Sequence, residues 1–131
     1  MKRLLSGLWL VGLSTLGLTS QSAYYREHPS RIQAALLACP YSKPKGITCQ
    51  ELSHVAQDTQ ALLFELEQTP QQYGLNIMRI QANIASYQLM MQHVMSTSQQ
   101  QRLLHTLDSE QQRLNARLAL IRLLETPGVI G

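Results

Sequence analysis

Residues 70–94 read PQQYGLNIMRIQANIASYQLMMQHV, and Tyr73, Ile77, Ile80, Ile84, Tyr87, Met91 and Val94 recur through them at steps of 4, 3, 4, 3, 4 and 3. That alternation holds the seven side chains in one stripe along a helix, three heptads of a coiled-coil-like seam. Thr69-Pro70-Gln71-Gln72 opens the segment as a capping box, with proline at the first helical position, where its missing N–H costs nothing. The pattern predicts a helix from Pro70 to about Met95, roughly 39 Å long at 1.5 Å per residue.

Downstream, Ser96-Thr97-Ser98 interrupts the helix and Ser98-Gln99-Gln100-Gln101 offers another cap. Leu103, Leu104, Leu107, Leu114, Leu118, Ile121 and Leu124 then carry a helix to about Glu125, with Glu110 and Gln111 sitting where the seam expects apolar residues. So short a connection predicts an antiparallel hairpin. Thr126-Pro127-Gly128 ends it, and residues 126–131 are expected to form a flexible tail.

Upstream, Thr48-Cys49-Gln50-Glu51 is a capping box for a helix bearing Leu52, Val55, Ala56, Thr59, Leu62, Leu63 and Leu66, expected to end near Glu67 or Gln68. Pro29 suits a first helical turn, and Ile32, Ala35, Leu36 and Cys39 follow at helical spacing until Pro40 stops the run. No stretch alternates with the period of a strand. The expected fold is all-α with four helices: a long antiparallel αα-hairpin and two shorter N-terminal helices joined by a disulfide.

That disulfide is expected between Cys39 and Cys49, the only two cysteines in the chain. Between them Pro40, Pro44 and Gly46 mark a turn. Ten residues of separation is far from the C-x-x-C spacing of redox catalysts, so the pair reads as a staple. Closing so small a loop is worth roughly 2–3 kcal/mol by the chain-entropy argument.

The chain opens on the basic head Met1-Lys2-Arg3, an apolar run from Leu4 to Leu18, and the small polar group Thr19-Ser20-Gln21-Ser22-Ala23. This is the layout of a secretory signal, and residues 1–23 are expected to be cleaved, leaving a single helical domain over residues 24–125. The apolar run is short of the roughly 20 residues a spanning helix needs, so a membrane contact is expected only if the signal stays attached. Export to the periplasm or beyond also supplies the oxidising surroundings that a disulfide requires. Of the 11 Lys+Arg in the chain, Lys2 and Arg3 leave with the signal, against 8 Asp+Glu that all remain. The near-neutral remainder has no basic cluster to neutralise a run of phosphates, which argues against nucleic-acid binding.

Candidate chemistry is sparse. Glu51, His54 and Asp58 share one helix face and are ligand types a divalent ion accepts, although such a trio is more often a solvated ion-pair face. Serines are present without a G-x-S-x-G elbow, and no cofactor loop occurs, so neither an enzyme nor a bound cofactor is expected. The seam of Tyr73, Ile77, Ile80, Ile84, Tyr87, Met91 and Val94 has two readings: it packs on the chain's own last helix, or it serves a partner helix or a second copy.

Tyr24-Tyr25-Arg26-Glu27-His28-Pro29, with Cys39 ten residues after Pro29 and Cys49 beyond a Pro/Gly loop, resembles the small exported entry-exclusion proteins of conjugative and type IV secretion systems (the EexN/TrbK-like group). Tyr25, His28, Pro29, Leu36, Cys39 and Cys49 carry the match, over residues 24–49 alone. Members of that group are often lipoproteins and short; this chain lacks the lipid-accepting cysteine and continues for some 75 residues. The resemblance implies a cell-envelope protein acting by contact with another protein. The expectation is thus an exported non-enzymatic helical protein that binds another envelope protein or itself. A periplasmic carrier of a small ligand or metal, and a secreted effector, are the alternatives.

Overall fold

A computed structural model describes residues 21–42, 44–93 and 95–125. Residues 1–20 of the expected signal, Val94 of the seam and the expected tail all lie outside them. Among the described residues there are five α-helices and one 3-10 turn, and no strand: α1 Gln21–Glu27, the turn Pro29–Arg31, α2 Ile32–Ala38, α3 Cys49–Gln68, α4 Pro70–Met90 and α5 Thr97–Glu125. The all-α expectation is met, whereas the count of four is not.

The extra helix is α1. Seven residues have no room for a periodic pattern, and isolated helices this short are marginal in water, so packing must hold it. It lies against both α3 and α5, burying Ala23, while Arg26 pairs with Asp58 of α3 at 2.9 Å and Asn115 of α5 donates to Glu27 at 2.7 Å. The expected first helix, Pro29 to Ala38, becomes α-helical only at Ile32, because its first turn winds as a 3-10 turn behind Pro29.

α3 runs for 20 residues, α4 for 21 and α5 for 29. α3 keeps the expected bounds, from the Thr48 cap to Gln68, and is nearly as long as the first arm of the hairpin. α4 and α5 form the largest interface, and α3 packs on both. Thr69 alone separates α3 from α4. As the residue before proline it cannot stay helical, and it takes φ −137°, ψ 66°.

The caps divide. Thr48 accepts from the Glu51 backbone N–H at 3.0 Å and its hydroxyl donates to the Glu51 carboxylate at 3.1 Å, so the first cap forms, with Glu51 reaching back to the hydroxyl instead of the Thr48 backbone N–H. The second does not. Thr69 also closes α3, and its hydroxyl donates back to the Glu65 carbonyl at 3.0 Å instead of capping α4. The third sits two residues early: Ser96 accepts from the Gln99 N–H at 3.3 Å, and the Gln99 side chain accepts from the Ser96 N–H at 3.1 Å. α4 also stops short of Met95. Gln92 N–H reaches Leu89 and His93 N–H reaches Met90, i→i−3 bonds that tighten and end the helix.

Two apolar clusters result. One gathers Ile32, Cys39, Ile47, Leu52 and Val55, with Tyr25, Ala35, Leu36 and Ala56 against it. The other gathers Tyr73, Ile77, Ile80, Ile84 and Leu114, with Leu62, Leu66, Leu107, Leu118 and Ile121 around it. α3 feeds both, from its first and second halves.

Candidate functional site

The corner between α2 and α3 is fixed at several points among its described residues. Cys39 and Cys49 are disulfide-bonded with their Cα atoms 5.9 Å apart. The Ala38 carbonyl accepts from Tyr41 N–H at 3.0 Å and from Ser42 N–H at 2.7 Å, closing the end of α2. Gly46 has φ +76°, a left-handed conformation, and a Cβ there would lie 2.8 Å from the Gln21 side chain. Ile47 plugs into the core beneath, and the Thr48 cap starts α3. On this frame Tyr41 is 92% exposed and Leu37 is exposed beside the helix end. A large aromatic held almost wholly in water has no stabilising role inside the chain, since it buries no surface.

The polar centre of the molecule lies elsewhere. Arg117 of α5, 9% exposed, makes a two-pronged pair with Glu65 of α3, Nη1 to Oε1 and Nη2 to Oε2, both at 3.2 Å. Its guanidinium stacks over the Tyr73 ring, 4.8 Å from the centroid, and its backbone carbonyl accepts from the Tyr73 hydroxyl at 2.7 Å. Asn76 donates to Glu65 at 2.7 Å. The Arg117 hydrogen bonds hold the Glu65 carboxyl below its usual range despite partial burial, with Asn76 helping. Burial raises the Tyr73 hydroxyl to about 12, against the lowering influence of Arg117.

Beside this network a cleft of about 530 Å³ opens between α3 and α5, lined by Arg26, Asp58, Glu65, Ser109, Gln112, Arg113 and Arg117 among others. Its charges are committed to one another: Arg26 to Asp58, Arg117 to Glu65, and Arg113 to Glu110 at 3.0 Å. Glu110, a charge where the seam expected an apolar residue, is thereby covered and paired.

Of the seam, Tyr73, Ile77, Ile80 and Ile84 are buried within the hairpin cluster, and Tyr87 and Met91 are half-buried. Of its two possible packings, the stripe takes the internal one at these four residues. Glu51, His54 and Asp58 are all exposed; Glu51 belongs to the Thr48 cap and Asp58 to Arg26. Among the described residues no group of three or more His, Cys, Asp or Glu is placed to hold a metal ion.

Sequence reading passed over the opposite face of α4. Leu75, Met78, Ala82, Ala85 and Leu89 also follow steps of 3, 4, 3 and 4, and all five are exposed. Two opposed stripes on one helix blur its amphipathicity, which hides the second behind the first. No protein-family model matches this chain, and no curated protein or solved structure matches it.

Proposed function

We propose that this is an exported, disulfide-stapled helical protein that works by binding another cell-envelope protein, as an accessory of a transfer or secretion apparatus. The observation that carries the reading is the stapled corner, where a rigid frame presents Tyr41 and Leu37 to solvent. Tyrosine gives contact area at little entropic cost, and a loop already ordered by a cross-link loses little further freedom on binding. Lys45, also exposed on the loop, adds a cationic edge suited to an acidic rim on the partner. The disulfide supports an oxidising compartment, and among the described residues no helix is long and apolar enough to cross a membrane. The resemblance to entry-exclusion proteins falls on this same corner, over residues 24–49.

The test is photo-crosslinking in intact cells with a reactive residue at position 41 and, as control, at His54 on the exposed face of α3. One discrete envelope adduct from position 41, absent from position 54 and lost in Leu37→Ser, is expected. Equal labelling from both positions, or none from 41, would refute the assignment.

A further inference from the structure

We propose that two copies of this chain associate through the outer face of α4, antiparallel, about a two-fold axis at Ala82. Leu75, Met78 and Leu89 on that face are 53%, 64% and 60% exposed, with Ala82 and Ala85 between them. At 100° per residue these five positions fall opposite the buried stripe of Tyr73, Ile77, Ile80 and Ile84, and among the described residues no other helix covers them.

Charge selects the occupant. The only charged residue of α4 is Arg79, and no Asp or Glu occurs anywhere from Pro70 to Leu107. A charged partner, or an anionic lipid surface, finds almost nothing here to complement. An uncharged apolar face suits a second copy of itself, which meets it without like-charge repulsion.

Spacing selects the direction. Leu75 and Leu89 stand seven residues either side of Ala82, so an antiparallel pair sets leucine against leucine at both ends. The alanines at the centre let the two helices approach closely, and Arg79 of each copy then faces the region of Ala85 instead of its own equivalent. A parallel pair would bring the two Arg79 side chains together. The stripe extends about 21 Å along the helix, a small contact at or below the roughly 1,200 Å² of ordinary specific interfaces, so the pair is weak and reversible.

Sedimentation equilibrium on the purified, disulfide-intact protein tests this. The average mass should climb towards twice the monomer between roughly ten micromolar and one millimolar. Met78→Glu, a change at an exposed site that leaves the helical circular dichroism intact, should weaken association by about tenfold or more. Ala82→Cys should cross-link to itself under mild oxidation, and a mixture of Leu75→Cys and Leu89→Cys chains should cross-link with each other. A monomer throughout that range, unchanged association in Met78→Glu, or no Ala82→Cys adduct would overturn the proposal. Efficient self-crosslinking of Leu75→Cys alone would overturn the antiparallel arrangement.

Discussion

The stapled corner and the hairpin are held by opposite means. The corner's buried residues come from Ile32 to Val55 and are locked by a covalent bond, a left-handed glycine and a capping box. The hairpin is joined by residues 44 and 52 positions apart, Tyr73 with Arg117 and Glu65 with Arg117, and by a long apolar seam. Where α2 is only seven residues long there is too little apolar surface to order the turn that follows it, and a cross-link to α3 supplies the constraint. Where α4 and α5 run for more than five turns each, the seam supplies stability but little register, since a heptad pattern tolerates sliding. The Tyr73–Arg117–Glu65 network pins that register, because a shift by one turn would strand a buried charge.

The comparison breaks most sharply at Arg117. Arg117→Ala leaves Glu65 facing a partly buried site without its counter-charge and should cost about 3–5 kcal/mol in denaturant unfolding. The double variant Arg117→Met with Glu65→Leu should recover most of the loss. If Arg117→Ala alone costs under about 1 kcal/mol, the network does not set the hairpin. Cys39→Ser with Cys49→Ser should cost roughly 2–3 kcal/mol. Its loss should be local: amide exchange quickens around residues 32–48 and leaves Ile77–Ile84 protected. Uniform quickening would mean the two clusters unfold as one.

pH separates the regions next. The Tyr73 pKa is raised in the folded chain, so its contribution is fully present below about 10 and is lost as pH rises towards about 12. Stability should fall by roughly 2 kcal/mol across that window, and Tyr73→Phe, though weaker overall, should lack that decline. Glu65 behaves in the opposite sense: its lowered pKa stabilises the fold above the ordinary carboxylate value, and the gain disappears as pH drops through the depressed one. Glu65→Gln should flatten the acid limb. The smallest effects lie at the helix starts. Thr48→Ala should cost about 1 kcal/mol, whereas Thr69→Ala, whose hydroxyl bonds backwards to Glu65, should cost only a few tenths.

What could be read beforehand follows the range of the interactions. α3, α4 and α5 were visible because each bears a period of 3.6 over five or more turns, and Thr48 because its capping box is local and unambiguous. Between Ser96 and Ser98 the sequence offers two overlapping boxes, each with glutamine three residues on, so local pattern could not choose. α1 was invisible because its helicity comes from α3 and α5, far along the chain. The Arg117–Glu65 pair was equally hidden, since nothing within a turn of either residue announces the other. The outer stripe of α4 was present in the letters throughout, masked by the stronger stripe behind it.

The bond from Asn115 to Glu27 spans 88 positions, and it has a consequence for the order of events when the protein is made. During synthesis α1 emerges early, yet the α5 part of the surface it rests on is among the last to appear. At roughly 5–20 residues per second that is a wait of several seconds. For that interval α1 can meet α3, through Arg26 and Asp58, but its contact with α5 stays open. The placement of two partners far apart along the chain therefore builds a delay into the completion of this contact.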